Sequence, residues 1–125
     1  MSNFLYQKIE NFFDGVDKPN IPLSITNNLK YPLRHYQKEA LENFICYMQM
    51  HKKYKDLPNK HLLFHMATGS GKTNIIASSI LYLFELGYRD FIFFVNTNNI
   101  ITKTLENLVN SNSNKYIFST KIILN

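Results

Sequence analysis

A short glycine-rich segment constrains the fold of this chain more than any other feature of its sequence. Gly69-Ser70-Gly71-Lys72-Thr73 stands between an apolar run of strand length, residues 61–66, and a run with helical spacing that follows Thr73. Glycines permit a tight turn in which successive N–H groups converge on an anion, and a helix N-terminus adds partial positive charge. The segment therefore predicts a phosphate-binding loop between a strand and a helix.

The two residues after the second glycine indicate the kind of phosphate. A lysine at position 72 reaches the β and γ phosphates of a nucleoside triphosphate, and the Thr73 hydroxyl is a ligand for Mg²⁺. We therefore predict Lys72 and Thr73 as catalytic residues and Thr73 as a metal ligand. Met66 stands where the usual pattern has its first glycine, so a chance glycine loop remains the alternative.

The segments around this loop predict a βαβ unit. Phe91-Ile92-Phe93-Phe94-Val95 is a continuous apolar run, which is typical of a parallel strand buried on both faces. The remaining pattern predicts the following elements in chain order: a helix from Phe4 that stops at Asp14-Gly15, an extended connector over 16–32, a helix from Pro32 to about Lys55, a turn at 57–59, a helix ended by Gly87, a helix capped by Asn98 or Asn99, and strands at 116–118 and 121–124.

Composition restricts the class of protein without naming a function. The chain has 125 residues, 45% of them hydrophobic, and a net charge of +5. This size suits one domain, and the charge is compatible with a polyanion partner. The single cysteine, Cys46, excludes an internal disulfide framework, and no signal peptide or membrane span is visible, so we expect a cytoplasmic protein.

Three stretches resemble one known family. Residues 66–73 look like motif I of superfamily 2 helicases and translocases, in which the first glycine is commonly replaced. Leu33-Arg34-His35-Tyr36-Gln37 looks like their adenine-reading segment, and residues 93–101 are similar to motif Ia. The combination most resembles the restriction subunit of type III restriction-modification enzymes, over about residues 31–110.

The resemblance implies an α/β fold of the P-loop NTPase class. This would be a RecA-like three-layer αβα domain with a partial parallel sheet over residues 31–125, preceded by an N-terminal helical arm over residues 1–30. It also implies ATP and Mg²⁺ as cofactors. The Gln37 carboxamide has the donors and acceptor to pair with adenine, and Tyr31 or Tyr36 would stack on the base. The expected nucleotide-binding residues are Arg34, Tyr36, Gln37, Thr68, Gly69, Ser70, Gly71, Lys72 and Thr73.

The resemblance also implies DNA as a partner. In the family the motif Ia loop meets the DNA backbone, so Thr97, Asn98 and Lys103 are candidates for phosphate contacts. A polar strand-to-helix turn with an asparagine cap is the alternative for the same residues. The implied partners of the whole protein are double-stranded DNA and a modification (methyltransferase) subunit, and the implied reaction couples ATP hydrolysis to DNA cleavage.

Some residues that hydrolysis requires are not found in this sequence. The class needs an acidic pair for Mg²⁺ and an arginine from a second domain, whereas Asp90 and Glu106, the carboxylates after Gly87, are far apart. We expect an N-terminal piece of a longer enzyme that is inactive alone. Another P-loop ATPase or kinase, and a non-catalytic nucleotide- or DNA-binding module, remain alternatives. His61 and His65, four residues apart on a predicted strand, form no compact metal site.

Overall fold

Helices make up the regular secondary structure of the residues that the structure describes. The structure, a computed structural model, describes residues 4–53 and 61–119. The predicted turn at 57–59, the predicted strand at 121–124 and the predicted end at Lys55 of the helix from Pro32 lie outside the described residues. No described helix is long and apolar enough to cross a membrane. The helices are α1 (Leu5–Phe12), α2 (Leu23–Asn27), α3 (His35–Lys53), α4 (Lys72–Glu85) and α5 (Asn98–Leu108).

The core lies where α3 packs against α4. The buried face of α3 contributes Leu41 and Ile45, and that of α4 contributes Ala77. Phe44 and Tyr82 meet edge to face across this contact, with ring centroids 5.8 Å apart. Burial raises the pKa of the Tyr82 phenol, because the charged form would lose its hydration. The helical period thus predicted most of the buried face of α3. On α4 it was less accurate, because the core there is formed by Ala77, Leu81 and Tyr82, whereas the predicted Ile76 is 39% exposed.

The first predicted helix is confirmed and is attached to this core. Helix α1 spans Leu5–Phe12 and packs against α3, and its Ile9 is fully buried. Gly15 follows with a φ of +73°, a left-handed conformation that glycine adopts without strain and that ends the helical path. The Asp14-Gly15 stop was therefore recognised from local sequence.

The prediction of an extended connector over residues 16–32 is wrong in part. Residues Leu23–Asn27 form α2, which packs against α4, and Ile25 is fully buried. Pro22 precedes the helix with a φ of −56°, close to the value that a first helical turn requires. A helix of five residues is too short to show a hydrophobic period, so only its packing reveals it.

The predicted three-layer αβα fold is also wrong for the part of the chain that the structure describes. Residues 61–66 and 91–95 form no strand, and the described residues contain helices and one isolated β-bridge. A strand needs backbone hydrogen bonds to a neighbour. An apolar run in the sequence does not specify which segment would supply those hydrogen bonds. Leu63, Ile92 and Phe94 are 91%, 80% and 92% exposed. The run at 91–95 is therefore not buried on both faces as predicted.

The isolated bridge joins two distant parts of the chain. Leu29 pairs with Phe118 in antiparallel orientation, with Lys30 N–H donating to the Ile117 carbonyl and Ser119 N–H to the Asn28 carbonyl, both at 2.8 Å. The predicted strand at 116–118 is thus reduced to one bridge. Leu29 and Phe118 are both buried, so this bridge closes the edge of the core.

The end of α4 was predicted correctly, whereas the N-cap of α5 was not. After α4, Gly87 has a φ of +101°, its N–H donates to the Phe84 carbonyl, and Tyr88 N–H donates to the Leu83 carbonyl. These two bonds form a Schellman motif and confirm Gly87 as the helix stop. Helix α5 is present as predicted, but it begins at Asn98 itself. Thr97, not Asn98 or Asn99, is its N-cap, and no side chain makes the capping hydrogen bond.

We expect Ile25→Ala to destabilise the chain by about 2–5 kcal/mol, because it would leave a cavity between α2 and the core. Leu23→Ala is the matched control on the same helix, since Leu23 is 75% exposed and its loss should change stability by less than about 0.5 kcal/mol. Urea unfolding followed by circular dichroism measures both. If Ile25→Ala does not fold, Ile25→Val should still cost about 0.5–1.5 kcal/mol. Equal losses for the Ile25 and Leu23 variants would contradict the burial of α2.

Candidate functional site

A loop with two glycines in the left-handed backbone conformation leads directly into the N-terminus of α4. Residues 67–73, which we call the glycine loop, contain Gly69 and Gly71 with φ values of +77° and +81°. Gly71 is the residue before the first turn of α4, and no side chain caps that turn. The first N–H groups of a helix have no partner within it, so they are available to an acceptor outside the protein.

The glycine loop closes on a single carbonyl oxygen in this structure. The Lys72 ammonium donates to the Ala67 carbonyl at 2.8 Å, and the Ser70 hydroxyl donates to the same oxygen at 2.6 Å. Thr68, Gly69 and Lys72 are exposed to solvent. The loop is therefore accessible, and its lysine is directed back across it toward a partially negative oxygen.

Gln37 contacts the glycine loop from the first turn of α3. Its side chain is only 1% exposed, and both ends of the carboxamide are hydrogen-bonded. Oε1 accepts from the Arg34 N–H at 2.9 Å, whereas Nε2 donates to the Ser70 carbonyl at 2.8 Å and to the Gly71 carbonyl at 3.4 Å. Gln37 thus lies at the predicted site, but its carboxamide is occupied by protein atoms.

Gly71 is required at its position for two separate reasons. Its φ of +81° is left-handed, and a Cβ built on it would collide with Nε2 of Gln37. Gly69 has a similar φ, but a Cβ there would meet nothing within 4 Å. The two glycines of the motif therefore differ: Gly69 serves backbone conformation alone, and Gly71 also leaves room for Gln37.

Tyr36 and Arg34 complete the contact between α3 and the loop. Arg34 Nη1 donates to the Tyr36 hydroxyl at 2.9 Å, and that hydroxyl donates to the Ser70 carbonyl at 2.9 Å. The Ser70 oxygen therefore receives hydrogen bonds from both Tyr36 and Gln37. The sequence patterns placed these three residues near a nucleotide, but they contained no signal for their shared partner, because that partner is a backbone atom.

Two other residues predicted for the site, Thr73 and Tyr31, take no part in the hydrogen bonds described above. Thr73 is the second residue of α4 and is half-buried beside Lys72. Tyr31, the second candidate for stacking, has the Lys30 ammonium 5.4 Å from its ring centroid. In the described ranges, no group of three His, Cys, Asp or Glu residues is placed to hold a metal ion.

The candidate DNA contacts lie on another element. Thr97, Asn98 and Lys103 are exposed at the start and middle of α5. None of the hydrogen bonds of the glycine loop within the described residues reaches α5. The structure thus brings Arg34, Tyr36 and Gln37 to the loop and leaves the three candidate DNA contacts, at the N-cap and along α5, as a separate exposed group.

Comparison with known proteins assigns this chain to a family. Residues 30–125 match the family described as "Type III restriction enzyme, res subunit". The chain belongs to this family. It is also 48% identical over 108 residues to the probable type III restriction-modification enzyme HindVIP Res subunit of Haemophilus influenzae. That alignment covers 82% of this chain and 21% of the relative, so the chain spans about a fifth of that protein's length. No solved structure matches the chain.

The Res-family match includes the whole contact described above. It spans Arg34, Tyr36, Gln37 and the glycine loop, whereas α1 and α2 precede its first residue. The resemblance found from the motifs is therefore confirmed at the level of the family. The roles of the individual side chains stay predictions.

We expect Gly71→Ala to destabilise the chain by about 1–3 kcal/mol more than Gly69→Ala. Both variants force an alanine into a left-handed conformation, at roughly 1–2 kcal/mol. Only the Gly71 variant also displaces the buried Gln37 amide from its acceptors, which adds the penalty for an unsatisfied polar group. Urea unfolding of the two variants and of the wild type measures the difference. Equal losses would show that the contact between Gln37 and Gly71 does not constrain the loop.

Proposed function

We propose that this chain is the ATP-binding part of a Res subunit of a type III restriction enzyme. The complete subunit would couple ATP hydrolysis to movement along double-stranded DNA and to DNA cleavage. The observation that carries this proposal is Lys72, directed across an accessible glycine loop at the uncapped start of α4. The membership in the Res family supports the wider role.

The glycine loop has the donors that a triphosphate needs. Lys72 would exchange the Ala67 carbonyl for phosphate oxygens, and the N–H groups at the start of α4 would add uncharged donors. The fit of the loop to an anion is supported by the Ala67 carbonyl itself, which already attracts both Lys72 and Ser70. Thr73 would hold Mg²⁺ through its hydroxyl, and the metal would neutralise phosphate charge during hydrolysis.

Adenine recognition is the proposed role of Gln37. Pairing with adenine requires the carboxamide to exchange at least one of its present partners for the base, because Oε1 and Nε2 are both occupied. Tyr36 is 41% exposed and is hydrogen-bonded to the glycine loop, so its ring would stack on the base. Base binding is thus proposed to rearrange the hydrogen bonds that connect α3 with the loop.

We propose that this chain binds nucleotide without turning it over. Among the carboxylates after Gly87, Glu106 forms an ion pair with Lys115 at 2.7 Å, and Asp90 stands alone in the sequence. Neither belongs to the acidic pair that would hold Mg²⁺ and orient water. The residues that complete catalysis would come from other parts of the subunit.

The proposed partners follow from the family and from the exposed residues of α5. Double-stranded DNA would contact Thr97, Asn98 and Lys103 through its phosphates, which position the duplex without reading its sequence. A modification (methyltransferase) subunit would be the protein partner, and the cytoplasm would be the compartment. The family match favours this function over the alternative of a small kinase or another P-loop ATPase.

We expect Lys72→Ala to weaken Mg-ATP binding by roughly 10- to 100-fold, the usual loss for a hydrogen bond from a charged group. Isothermal titration calorimetry on the wild type and the variant measures the two dissociation constants. Lys115→Ala is the control, because it removes an exposed lysine whose partner, Glu106, lies on α5. Thr73→Ala should reduce the gain in ATP affinity that Mg²⁺ provides.

Two outcomes of that titration would count against the proposal. If Lys72→Ala binds Mg-ATP as the wild type does, the glycine loop is incidental, and the chain is a non-catalytic module. If the wild type hydrolyses ATP steadily and Lys72→Ala does not, the chain carries a complete active site, and the proposal that it only binds nucleotide fails.

We expect Lys103→Ala to reduce the slope of log K against log salt for binding a short DNA duplex by about one, because one phosphate contact is lost. Lys115→Ala should change the slope less, because the Lys115 ammonium already pairs with Glu106. Fluorescence anisotropy over a range of salt concentrations measures both slopes. Equal changes would indicate a diffuse basic surface instead of a contact at α5.

A further inference from the structure

The Ser70 carbonyl oxygen is the atom of the glycine loop that accepts hydrogen bonds from two side chains of α3. A carbonyl oxygen has two lone pairs, and the Tyr36 hydroxyl and Gln37 Nε2 each donate to this one, at 2.9 Å and 2.8 Å. Donors on α3 therefore occupy both lone pairs of this oxygen. Both donors belong to the first turn of that helix, which the core holds in place through Leu41 and Ile45.

The orientation of this carbonyl determines the direction of a neighbouring donor. The described chain contains no cis peptide bond, so the C=O of Ser70 and the N–H of Gly71 point in opposite directions from one planar unit. With the Ser70 oxygen held toward α3, the Gly71 N–H is directed away from α3. That N–H is the last donor of the glycine loop before α4 begins.

The Tyr36 hydroxyl is itself oriented by a third residue. Arg34 Nη1 donates to it at 2.9 Å, which occupies a lone pair of the phenol and leaves its proton for the Ser70 carbonyl. The three groups form a chain of hydrogen bonds that runs in one direction, from guanidinium to hydroxyl to carbonyl. Tyr36 as a whole is 41% exposed, and its polar contacts are made by the hydroxyl.

We propose that Tyr36 is a positioning residue for phosphate binding, acting through its hydroxyl. Held by Arg34, this hydroxyl fixes the peptide between Ser70 and Gly71 and so directs the Gly71 N–H toward the phosphates. This role differs from stacking on the base, which needs the ring and not the hydroxyl. The inference rests on the proposed nucleotide-binding function of the glycine loop.

Tyr36→Phe tests the role of the hydroxyl because it keeps the ring. We expect this variant to weaken binding of Mg-ATP and of Mg-tripolyphosphate by the same factor, about fivefold, the usual effect of one hydrogen bond. Tripolyphosphate has no base, so its titration reports on the loop alone. Tyr6→Phe is the matched control, since it removes an exposed tyrosine hydroxyl on α1. An unchanged unfolding midpoint in Tyr36→Phe would separate positioning from a general loss of structure.

A second measurement needs no ligand. The ¹⁵N order parameter of Gly71 should fall in Tyr36→Phe and stay at the wild-type value in Tyr6→Phe. Arg34→Ala should lower the same order parameter in the wild-type background and have little further effect in the Tyr36→Phe background, because Arg34 acts through the hydroxyl. An equal effect of Arg34→Ala in both backgrounds would overturn the proposed chain of hydrogen bonds.

The outcomes separate this inference from the proposed function. If the wild type binds Mg-ATP, and Tyr36→Phe changes neither dissociation constant nor the Gly71 order parameter, the inference fails and the proposed function stands. If Tyr36→Phe weakens Mg-ATP but not Mg-tripolyphosphate, the hydroxyl contacts the nucleoside and the inference also fails. If the wild type binds neither ligand, the proposed function fails, and with it the role in phosphate binding. The Gly71 order parameter then decides whether the hydroxyl positions the loop.

Discussion

The hydrogen bonds between the start of α3 and the glycine loop are the constraint on which the candidate site depends. Gln37 is almost fully buried, and an amide in that position requires partners on both ends. It finds them in the Arg34 N–H and the Ser70 carbonyl. The absence of a side chain at Gly71 lets the two segments approach this closely. Displacing the Arg34 N–H would leave the buried Oε1 of Gln37 without a partner.

The packing of α3 against α4 keeps that contact in register. The glycine loop continues covalently into α4, and the same two helices share the apolar core around Leu41, Phe44 and Leu81. The loop is therefore held at one end by the chain and at its Ser70-Gly71 peptide by hydrogen bonds from α3. A residue far from the loop in sequence can in this way orient a backbone donor within it: Tyr36 donates to the Ser70 carbonyl, and the same peptide unit carries the Gly71 N–H.

Local sequence signals predicted much of the secondary structure. Gly15 and Gly87 were recognised as helix stops because left-handed glycines have a local signature, and α1, α3, α4 and α5 were recognised because their apolar residues recur with the helical period. Helix α2 was missed because five residues contain too little of a period. Thr97 was missed as the N-cap of α5 because the adjacent asparagines carry the stronger capping preference.

The predicted sheet failed for a different physical reason. In residues 61–66 half-buried side chains alternate with exposed ones, as the sequence of an extended segment suggests, and Phe64 packs on the core while Leu63 is exposed. An extended backbone becomes a strand only when a neighbour accepts and donates its hydrogen bonds. Among the described residues that pairing occurs at the bridge between Leu29 and Phe118, not at the apolar runs.

The sequence by itself determined the position of the glycine loop, the helix that follows it and the family to which the chain belongs, because these depend on residue types at short fixed spacings. Only the tertiary structure decided which atoms the predicted site residues contact. Gln37 and Ser70 are 33 positions apart in the sequence. Their hydrogen bond forms because the packing of α3 against α4 brings the two segments together. No pattern within a single turn of helix contains that information, since it arises from the packing of separate elements.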